Sequence, residues 1–172
     1  MISYKEKLRK ISTFIFDVDG VLTNGDVYLL NDEIVRVLNS RDSYALQYAA
    51  KKNYRILVIT GGNSEAVRHR LEKLGVEQVC LGSSNKLHVY DTLKLEYSFL
   101  DEEVLYMGDD IPDFHVMRKV GVAACPQDAA QEIKSISDYQ SPFNGGKHCV
   151  RDVIEQTLRV QGNWFNEEAF EW

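Results

Sequence analysis

Near its beginning the chain reads ISTFIFDVDGVLT over residues 11–23. The apolar run over residues 11–16 is continuous rather than alternating, and such runs are typical of strands that are buried on both faces of a parallel sheet. The run stops at Asp17, and Asp19 follows two residues later. Because ligands bind beyond the carboxyl ends of the strands in open parallel sheets, the two carboxylates predict a functional site at the end of this first strand.

The same pattern, a short apolar run followed by a helical segment, repeats along the rest of the chain. Further strands are predicted at residues 55–59, 78–81, 104–107 and 122–124. Capping residues, apolar periodicity and glycine stop signals predict helices between them, at residues 43–52 (after Asp42 as the cap), 64–74, 86–97, 111–119, 128–135 and 149–161. The alternation predicts an α/β fold with a doubly wound, mainly parallel sheet.

One segment interrupts the alternation directly after the first strand. Residues 25–30 and 33–38 are β-rich runs around the dipeptide Asn31-Asp32, which predicts a β-hairpin insertion. The hairpin could lie at the edge of the main sheet, or it could leave the core and be covered by copies of itself in an oligomer, since it is too apolar to stand alone in water.

The chain is expected to form one domain with no large cap. This domain covers residues 1–162, and the hairpin insertion spans about residues 25–38. Residues 163–172 form an acidic, aromatic tail that could be disordered or could pack on a neighbouring subunit.

Composition and charge limit the classes of function. The 172 residues carry 20 basic and 26 acidic side chains, a net charge of −6, which argues against a nucleic-acid surface. No apolar run approaches the roughly 18–20 residues of a membrane span, and the first ten residues are not followed by the apolar stretch of a secretory signal. Cys80, Cys125 and Cys149 have no metal-type spacing and are expected to be reduced thiols of a cytoplasmic protein.

Side chains that suit a metal ion and a phosphate group follow four of the predicted strands. Acids follow two strands, a hydroxyl follows a third, and a lysine begins the helix after the fourth. They are Asp17, Asp19, Asp109, Asp110, Thr60 and Lys86. Clustered carboxylates repel one another, and a divalent cation removes that repulsion; carboxylate and carbonyl oxygens are the ligands that Mg²⁺ prefers. The sequence therefore predicts a magnesium site for an anionic substrate.

The chemistry of these residue types predicts a phosphomonoesterase. Mg²⁺ would cancel the repulsion between a phosphate dianion and Asp17, which would attack phosphorus and form an aspartyl phosphate. Asp19 would protonate the leaving oxygen and then deprotonate the hydrolytic water, while its carbonyl binds the metal and its side chain stays free. A hydroxyl, two backbone amides and an ammonium group would hold the other phosphoryl oxygens. They belong to Thr60, Gly61, Gly62 and Lys86.

Four segments resemble the motifs of the haloacid dehalogenase (HAD) phosphohydrolase superfamily. They are residues 16–23 (FDVDGVLT), Thr60-Gly61, Lys86 and residues 108–113 (GDDIPD). The chain up to about Gly162 is similar, more narrowly, to the small capless branch typified by 3-deoxy-D-manno-octulosonate 8-phosphate (KDO 8-phosphate) phosphatase. This closer resemblance rests on the hairpin after the first motif, residues 39–43 (NSRDS), residues 84–87 (SNKL) and Gly145-Gly146.

The resemblance implies a Mg²⁺-dependent homotetramer that makes free KDO for lipopolysaccharide synthesis. The hairpins would pack together, and neighbouring subunits would help to close each site. The implied metal ligands are Asp17, the Asp19 carbonyl and Asp109, with Asp110 and Asp113 behind them. The implied substrate contacts beyond the motifs are Asn39, Ser40, Arg41, Asp42, Ser43 and Arg70. Arg41 or Arg70 could pair bidentately with the carboxylate of a sugar acid.

The sequence leaves other functions open. The same chemistry could act on another sugar-acid phosphate, such as a nonulosonate 9-phosphate, because Gly62 stands where some relatives carry arginine after Thr-Gly. A non-catalytic oligomerisation module and a phosphoacceptor receiver domain are further alternatives. The intact acids and Lys86 count against the oligomerisation module. The middle strand ends at Thr60, where a receiver domain would carry its phosphorylated aspartate, and this counts against the receiver.

Overall fold

Strands and helices alternate along most of the chain. The computed structural model describes residues 3–31 and 33–171. The strands are β1 (Thr13–Phe16), β2 (Tyr28–Leu30), β3 (Glu33–Val35), β4 (Arg55–Ile59), β5 (Gln78–Cys80), β6 (Val104–Met107), β7 (Val122–Cys125) and β8 (Tyr139–Gln140). The α-helices are α1 (Tyr4–Leu8), α2 (Ser40–Lys51), α3 (Glu65–Glu72), α4 (Lys86–Tyr97), α5 (Phe114–Met117), α6 (Gln131–Ile136) and α7 (Cys149–Val160).

The main sheet has the strand order β5-β4-β1-β6-β7-β8, and its strands are parallel at every pairing. Strand β1 lies inside it, so that Phe16 pairs with Val58 on one side and with Met107 on the other. The predicted doubly wound parallel sheet is therefore confirmed. Because the chain winds outward from β1 in both directions, the crevice beyond the carboxyl end of β1 is where such sheets bind ligands.

Helices cover both faces of the main sheet. On β1, the side chains of Phe14 and Phe16 belong to the same core as residues of α2 and α7, whereas Ile15 belongs to the core that contains residues of α4 and α5. All three side chains are fully buried. The strand is continuously apolar because both of its faces meet an apolar layer.

The predicted hairpin leaves the main sheet. Strands β2 and β3 form a separate antiparallel ribbon in which Leu29 pairs with Ile34. Both side chains are exposed in the single chain, Leu29 to 74% and Ile34 to 52%. The hairpin is therefore not an edge of the main sheet. The predicted turn includes Asp32, which lies outside the described residues.

Several helix boundaries differ from the prediction. Helix α2 begins earlier, because Asn39 rather than Asp42 caps it and accepts a hydrogen bond from the N–H of Arg41 at 2.9 Å. The predicted helix over residues 111–119 is instead a 3₁₀ turn, Ile111–Asp113, followed by the short α5. The sequence pattern does not predict α1 or the two-residue β8.

The aromatic tail packs on its own chain. Trp164 lies edge-on against Tyr48, with ring centroids 5.2 Å apart, and the 3₁₀ turn Glu167–Phe170 follows. The hydroxyl of Tyr44 donates to the carbonyl of Ala169. Tyr44 and Tyr48 lie four residues apart on α2 and so share one face of this helix. The tail is therefore placed by an aromatic surface of the same subunit rather than disordered, while Phe165 and Phe170 stay exposed.

No helix within residues 3–31 and 33–171 is long and apolar enough to cross a membrane. Cys80, Cys125 and Cys149 are free thiols.

Candidate active site

The carboxyl ends of neighbouring strands bring the predicted catalytic side chains together. Asp17 follows β1, Thr60 follows β4, and Asp109 follows β6 by two residues. Lys86 is the first residue of α4, which follows β5. All four line one cavity of about 510 Å³ at this edge of the sheet. Four distant parts of the chain thus meet at the carboxyl ends of the strands, where the sequence pattern predicts the site.

Three carboxylates lie at the centre of the cavity. Asp17, Asp109 and Asp113 each present an oxygen, and these oxygens lie within 4.8 Å of one another. Two glycines make the approach possible. A Cβ atom on Gly20, whose φ is 84°, would overlap Oδ2 of Asp109, and a Cβ atom on Gly108 would overlap the carboxyl group of Asp113. Neither position can carry a side chain, so glycine is required beside the acids.

Lys86 is buried and holds two of these carboxylates. Its Nζ lies 2.8 Å from Oδ2 of Asp17 and 2.7 Å from Oδ1 of Asp113. The hydroxyl of the fully buried Tyr106 donates to the same Asp113 oxygen at 2.5 Å. The other oxygen of Asp113 is buried and has no hydrogen-bond partner among the described residues. Asp113 therefore has one oxygen fixed by the protein and one available to a further positive group.

Burial and mutual repulsion perturb the acids. Burial, followed by the neighbouring Asp113, raises the pKa of Asp17 to about 6, although Lys86 opposes the change. Burial, followed by Asp17, raises the pKa of Asp109 to about 7. Burial by itself would lower the pKa of Lys86, but Asp17 and Asp113 outweigh it and raise that pKa. When all are ionised, three carboxylates and one ammonium group leave two negative charges.

This donor set fits a magnesium ion. Mg²⁺ binds carboxylate oxygens and brings the two positive charges that the three acids and Lys86 leave uncompensated. It would also lower the pKa of both Asp17 and Asp109, because a nearby cation favours the ionised acid. The resemblance places Asp113 behind the ligands, but one of its carboxylate oxygens lies in the same cluster as oxygens of Asp17 and Asp109.

Asp110 differs from its neighbour Asp109. It is exposed, and its Oδ1 accepts a hydrogen bond from the N–H of Ile111 at 2.8 Å. This bond caps the turn Ile111–Asp113, which brings the carboxyl group of Asp113 back over Gly108. Asp110 therefore supports the carboxylate cluster through the backbone, and its own carboxylate lies outside it.

The loop after β4 offers hydrogen-bonding groups to an anion. The N–H of Gly62 donates to Oγ1 of Thr60 at 3.1 Å, and the N–H of Ser83 donates to the carbonyl of Thr60 at 2.9 Å. These bonds shape the loop, and Gly61 and Ser84 complete the same wall of the cavity. Together with the ammonium group of the lysine, these hydroxyls and amides form a surface that suits phosphoryl oxygens.

The side chain of Asp19 is not free, contrary to the prediction. Nε of Arg36 donates to Oδ1 at 2.6 Å, and Nη2 donates to Oδ2 at 3.0 Å. Arg36 comes directly after β3, so the hairpin contributes a cation to the loop after β1. The planar guanidinium group matches a carboxylate bidentately, and only 9% of the Arg36 side chain is exposed, which limits competition from water.

The resemblance assigns residues 39–43 to substrate, and three of them, Asn39, Asp42 and Ser43, make hydrogen bonds within their own chain. The buried Asp42 accepts hydrogen bonds from the N–H groups of Arg151, at 2.8 Å, and His148, at 3.3 Å, at the start of α7. The hydroxyl of Ser43 donates to a carbonyl one turn earlier in its own helix, at 2.9 Å. These side chains join α2 to α7 and stay outside the cavity of their own chain.

The two arginines expected to bind a substrate carboxylate also lie elsewhere. Ser40 and Arg41 are exposed and line two other cavities, of about 380 and 450 Å³. Arg70 is exposed in the last turn of α3, whereas the first turn of this helix is the one next to the loop after β4. Neither Arg41 nor Arg70 lines the catalytic cavity of the chain that carries it.

Three further side chains shape the site, and the sequence pattern does not single them out. Ser83 has the clearest signal, because it comes three residues after the end of β5. Arg36 carries a weaker signal, a cation directly after an apolar hairpin strand. Tyr106 carries no signal, since it reads as one more buried residue of β6.

Known proteins resemble the chain in sequence and in structure, although no protein-family model matches it. It is 36% identical over 157 residues to the 3-deoxy-D-manno-octulosonate 8-phosphate phosphatase KdsC of Salmonella typhi. The aligned residues cover 91% of this chain and 84% of that protein. The 3-deoxy-D-manno-octulosonate 8-phosphate phosphatase from Yersinia pestis superimposes with a TM-score of 0.90 at 30% identity, over 92% of this chain and 86% of that one. The phosphatase from Moraxella catarrhalis, solved with a magnesium ion, a phosphate ion and KDO, has a TM-score of 0.90 at 28% identity, over 96% and 94%.

Proposed function

The chain belongs to the KdsC-type KDO 8-phosphate phosphatases of the HAD superfamily, and from this premise we propose that it hydrolyses KDO 8-phosphate to KDO and phosphate with Mg²⁺, as a step in making lipopolysaccharide precursors. The observation that carries the proposal is the cluster at the end of β1, where Asp17 lies between two further carboxylates and the ammonium group of Lys86. The relative from Moraxella catarrhalis, which binds magnesium, phosphate and KDO, supports this set of ligands.

The proposed metal ligands are Asp17, Asp109 and Asp113, together with the backbone carbonyl of Asp19. When bound there, Mg²⁺ supplies positive charge that offsets the negative charge of the phosphoryl group. Lys86 fixes the orientation of two of the three carboxylates. The hydroxyl of Tyr106 donates to the Asp113 oxygen that the lysine also contacts, and the other Asp113 oxygen has no partner among the described residues.

Asp17 is the proposed nucleophile. The N–H of Val18 donates to its Oδ1 at 2.6 Å, and Lys86 holds its Oδ2, so the carboxylate is fixed at the end of β1. A carboxylate oxygen attacks phosphorus, the bond to the ester oxygen breaks, and the electron pair goes to the sugar oxygen. Water then attacks the same phosphorus, the bond to Asp17 breaks, and the free carboxylate is regenerated.

Asp19 is the proposed proton donor and acceptor. It gives a proton to the leaving sugar oxygen and then takes one from the attacking water. Because Arg36 occupies both of its oxygens, at least one of them has to be released before a proton can be transferred. The ion pair is therefore the resting arrangement of this part of the site.

The remaining phosphoryl oxygens are assigned to the loop after β4 and to α4. Backbone amides and a hydroxyl on a loop that the fold orients stabilise the charge that develops on the phosphoryl group. The N–H of Gly62 donates to Oγ1 of Thr60 in the resting site, so it has to leave this bond to reach a phosphoryl oxygen. The proposed groups are the hydroxyl of Thr60, the amides of Gly61 and Gly62 and the ammonium group of Lys86.

The proposal extends to assembly and location. The hairpin exposes six apolar side chains, those of Val27, Tyr28, Leu29, Leu30, Ile34 and Val37. A two-stranded ribbon of this kind is marginal on its own in water, and packing against the hairpins of other copies in a homotetramer would cover it. Residues 1–162 would form the phosphatase domain of each subunit. The proposed location is the cytoplasm, where free thiols stay reduced.

Phosphate release from a panel of sugar phosphates, with Mg²⁺ and with a chelator, tests the function. We expect the highest kcat/KM for KDO 8-phosphate, lower values for a nonulosonate 9-phosphate and for arabinose 5-phosphate, and loss of turnover without metal. Asp17→Asn, which keeps the shape of the side chain, should lower kcat by at least about a thousandfold while the protein stays folded. A folded and active Asp17→Asn enzyme would refute the nucleophile, and a preference for the nonulosonate would reassign the substrate.

A further inference from the structure

A second cavity adjoins the catalytic one. It has a volume of about 540 Å³ and lies between the hairpin and the loop after β4, with Gly61 and Gly62 in the wall that both cavities share. Its other lining residues include Ile34 and Arg36 from the hairpin side and Asn63 and Ser64 from the loop. A molecule bound at the end of β1 can therefore extend past the shared glycines into this space.

Among the described residues that line the second cavity, only Arg36 has a charged side chain. A guanidinium group has five N–H donors, and the contact with Asp19 uses one on Nε and one on Nη2. The other three donors have no hydrogen-bond partner among the described residues, so they can bind a ligand. One edge of the group therefore holds Asp19 in the catalytic cavity, and the rest is available in the second cavity.

The missing side chain at Gly62 fixes where the guanidinium lies. A Cβ atom at this position would be 3.1 Å from Nη2 and 3.6 Å from Cζ of Arg36, which is tighter than an ordinary contact for the first of these atoms. Arg36 consequently packs directly over the backbone of the loop that is assigned to the phosphoryl group. The cation lies at the border between the two cavities.

We propose, on the basis of the function proposed above, that Arg36 binds the carboxylate of the substrate and makes the enzyme selective for phosphate monoesters of sugar acids. With the phosphoryl group at Asp17 and the leaving oxygen at Asp19, the sugar passes Arg36 on its way into the second cavity. A carboxylate there meets a guanidinium group that can bind it with two hydrogen bonds.

The test compares Arg36→Gln and Arg36→Lys with the wild type on three substrates and Mg²⁺. KDO 8-phosphate and a nonulosonate 9-phosphate carry a carboxylate, and arabinose 5-phosphate does not. The readout is the ratio of kcat/KM for a carboxylated substrate to kcat/KM for arabinose 5-phosphate, because this ratio cancels any general loss that arises through Asp19. Arg9→Gln is the matched control, since Arg9 is exposed at the end of α1 and precedes the opposite end of β1.

We expect Arg36→Gln to lower the ratio at least about tenfold, the size of effect that a charge-assisted hydrogen bond has. The ratio for Arg36→Lys should lie between those of the wild type and Arg36→Gln, because lysine keeps the charge but lacks the planar group that donates two parallel hydrogen bonds. The inhibition constant of free KDO against arabinose 5-phosphate hydrolysis should rise in parallel. The control variant should keep the wild-type ratio, and thermal unfolding checks that every variant is folded.

A ratio within about twofold of the wild-type value in Arg36→Gln overturns the proposal, even if all rates fall together, since Arg36 would then only position Asp19. A wild type that does not favour either carboxylated substrate over arabinose 5-phosphate overturns it as well. The substrate assignment fails separately: if the wild type prefers the nonulosonate 9-phosphate and Arg36→Gln abolishes that preference, the carboxylate site stands and KDO 8-phosphate is replaced as the substrate.

Discussion

Replacing Lys86 with methionine tests whether the carboxylate cluster depends on one buried cation. The substitution keeps an unbranched side chain of similar length and removes the ammonium group that lies 2.8 Å from Asp17 and 2.7 Å from Asp113. The side chain of Lys86 is 5% exposed, and those of Asp17 and Asp113 are 9% and 0% exposed. Water therefore cannot replace the lost charge, and the acids are left to repel one another.

The size of the loss follows from this burial. Removing one partner of a buried ion pair costs about 3–5 kcal/mol, because the other partner stays buried without compensation. For a domain of this size, such a loss lowers Tm by roughly 6–20 °C. We expect the full effect in metal-free buffer at pH 7.5, and a smaller effect when Mg²⁺ takes over the compensation of the carboxylates.

The effect should also shrink at lower pH. Burial raises the pKa of Asp17 to about 6 and that of Asp109 to about 7 even with Lys86 in place, and removal of Lys86 takes away a cation that opposes both shifts. Acids with a raised pKa take up protons in the folded state before they do so in the unfolded state, so the free energy of unfolding rises as the pH falls. At pH 5.5 the protonated acids repel less, and Lys86→Met should be closer to wild type.

Urea unfolding followed by circular dichroism, at pH 7.5 and 5.5 in a chelator and again with Mg²⁺, measures these differences. Lys94→Met is the matched control on the same helix. Lys94 pairs with Asp101 at 2.7 Å, but both side chains are 31% exposed, so its loss should cost less than about 1 kcal/mol. A Lys86→Met protein that is no less stable than Lys94→Met at pH 7.5, or whose deficit is the same at both pH values, would refute the electrostatic reasoning.

Three further predictions concern the metal, the hairpin and the start of α7. In metal-free buffer the wild-type protein should become more stable from pH 8 to pH 5, because the raised pKa values of Asp17 and Asp109 make the folded state take up protons. A series of melting curves at different pH values measures this trend, and saturating Mg²⁺ should flatten it. A dependence on pH that Mg²⁺ does not change would contradict the metal site. Leu29, on the hairpin, is 74% exposed, and Leu29→Glu should give species smaller than a tetramer by light scattering. Leu95→Glu is the control, because Leu95 is 82% exposed on α4, and it should not change the assembly. A hairpin variant that is still a tetramer would contradict the interface. Asp42→Ala should lower the free energy of unfolding by about 2 kcal/mol in urea, since two N–H groups at the start of α7 lose their acceptor, and a change near zero would show that water replaces it.

The main features of the fold follow from local patterns in the sequence. Residues 14–16 are apolar without alternation because both faces of β1 are covered, and this can be recognised without knowing which helices cover them. Asp42 shows where such reasoning stops. Its position before an apolar periodic segment suggests the cap of its own helix, but it accepts hydrogen bonds from α7, more than 100 positions away. A side chain that can cap either of two helices has the same local sequence in both cases.

The sequence likewise predicts some residues of the site and not others. Asp17, Thr60 and Asp109 lie together because parallel strands end at one edge, so sheet topology alone is enough to predict their meeting. Asp113 needs the turn after Asp109 to fold back over Gly108, and local sequence shows a cap there without showing the direction of the turn. The contact between Arg36 and Asp19 joins a hairpin to a strand-end loop across 17 positions, and no periodicity or motif carries that information.

The charges of the cavity give the metal a role in substrate binding as well as in chemistry. Its two cations are both paired, Lys86 with two carboxylates and Arg36 with Asp19. With all five of its acids ionised, the cavity carries five negative charges against the two positive charges of Lys86 and the adjacent Arg36, which leaves three negative charges in a chain whose net charge is −6. A phosphate dianion would be repelled by such a cavity. The divalent ion that the acids can hold offsets two of these negative charges, so we expect the order of events to be Mg²⁺ first and the sugar phosphate second.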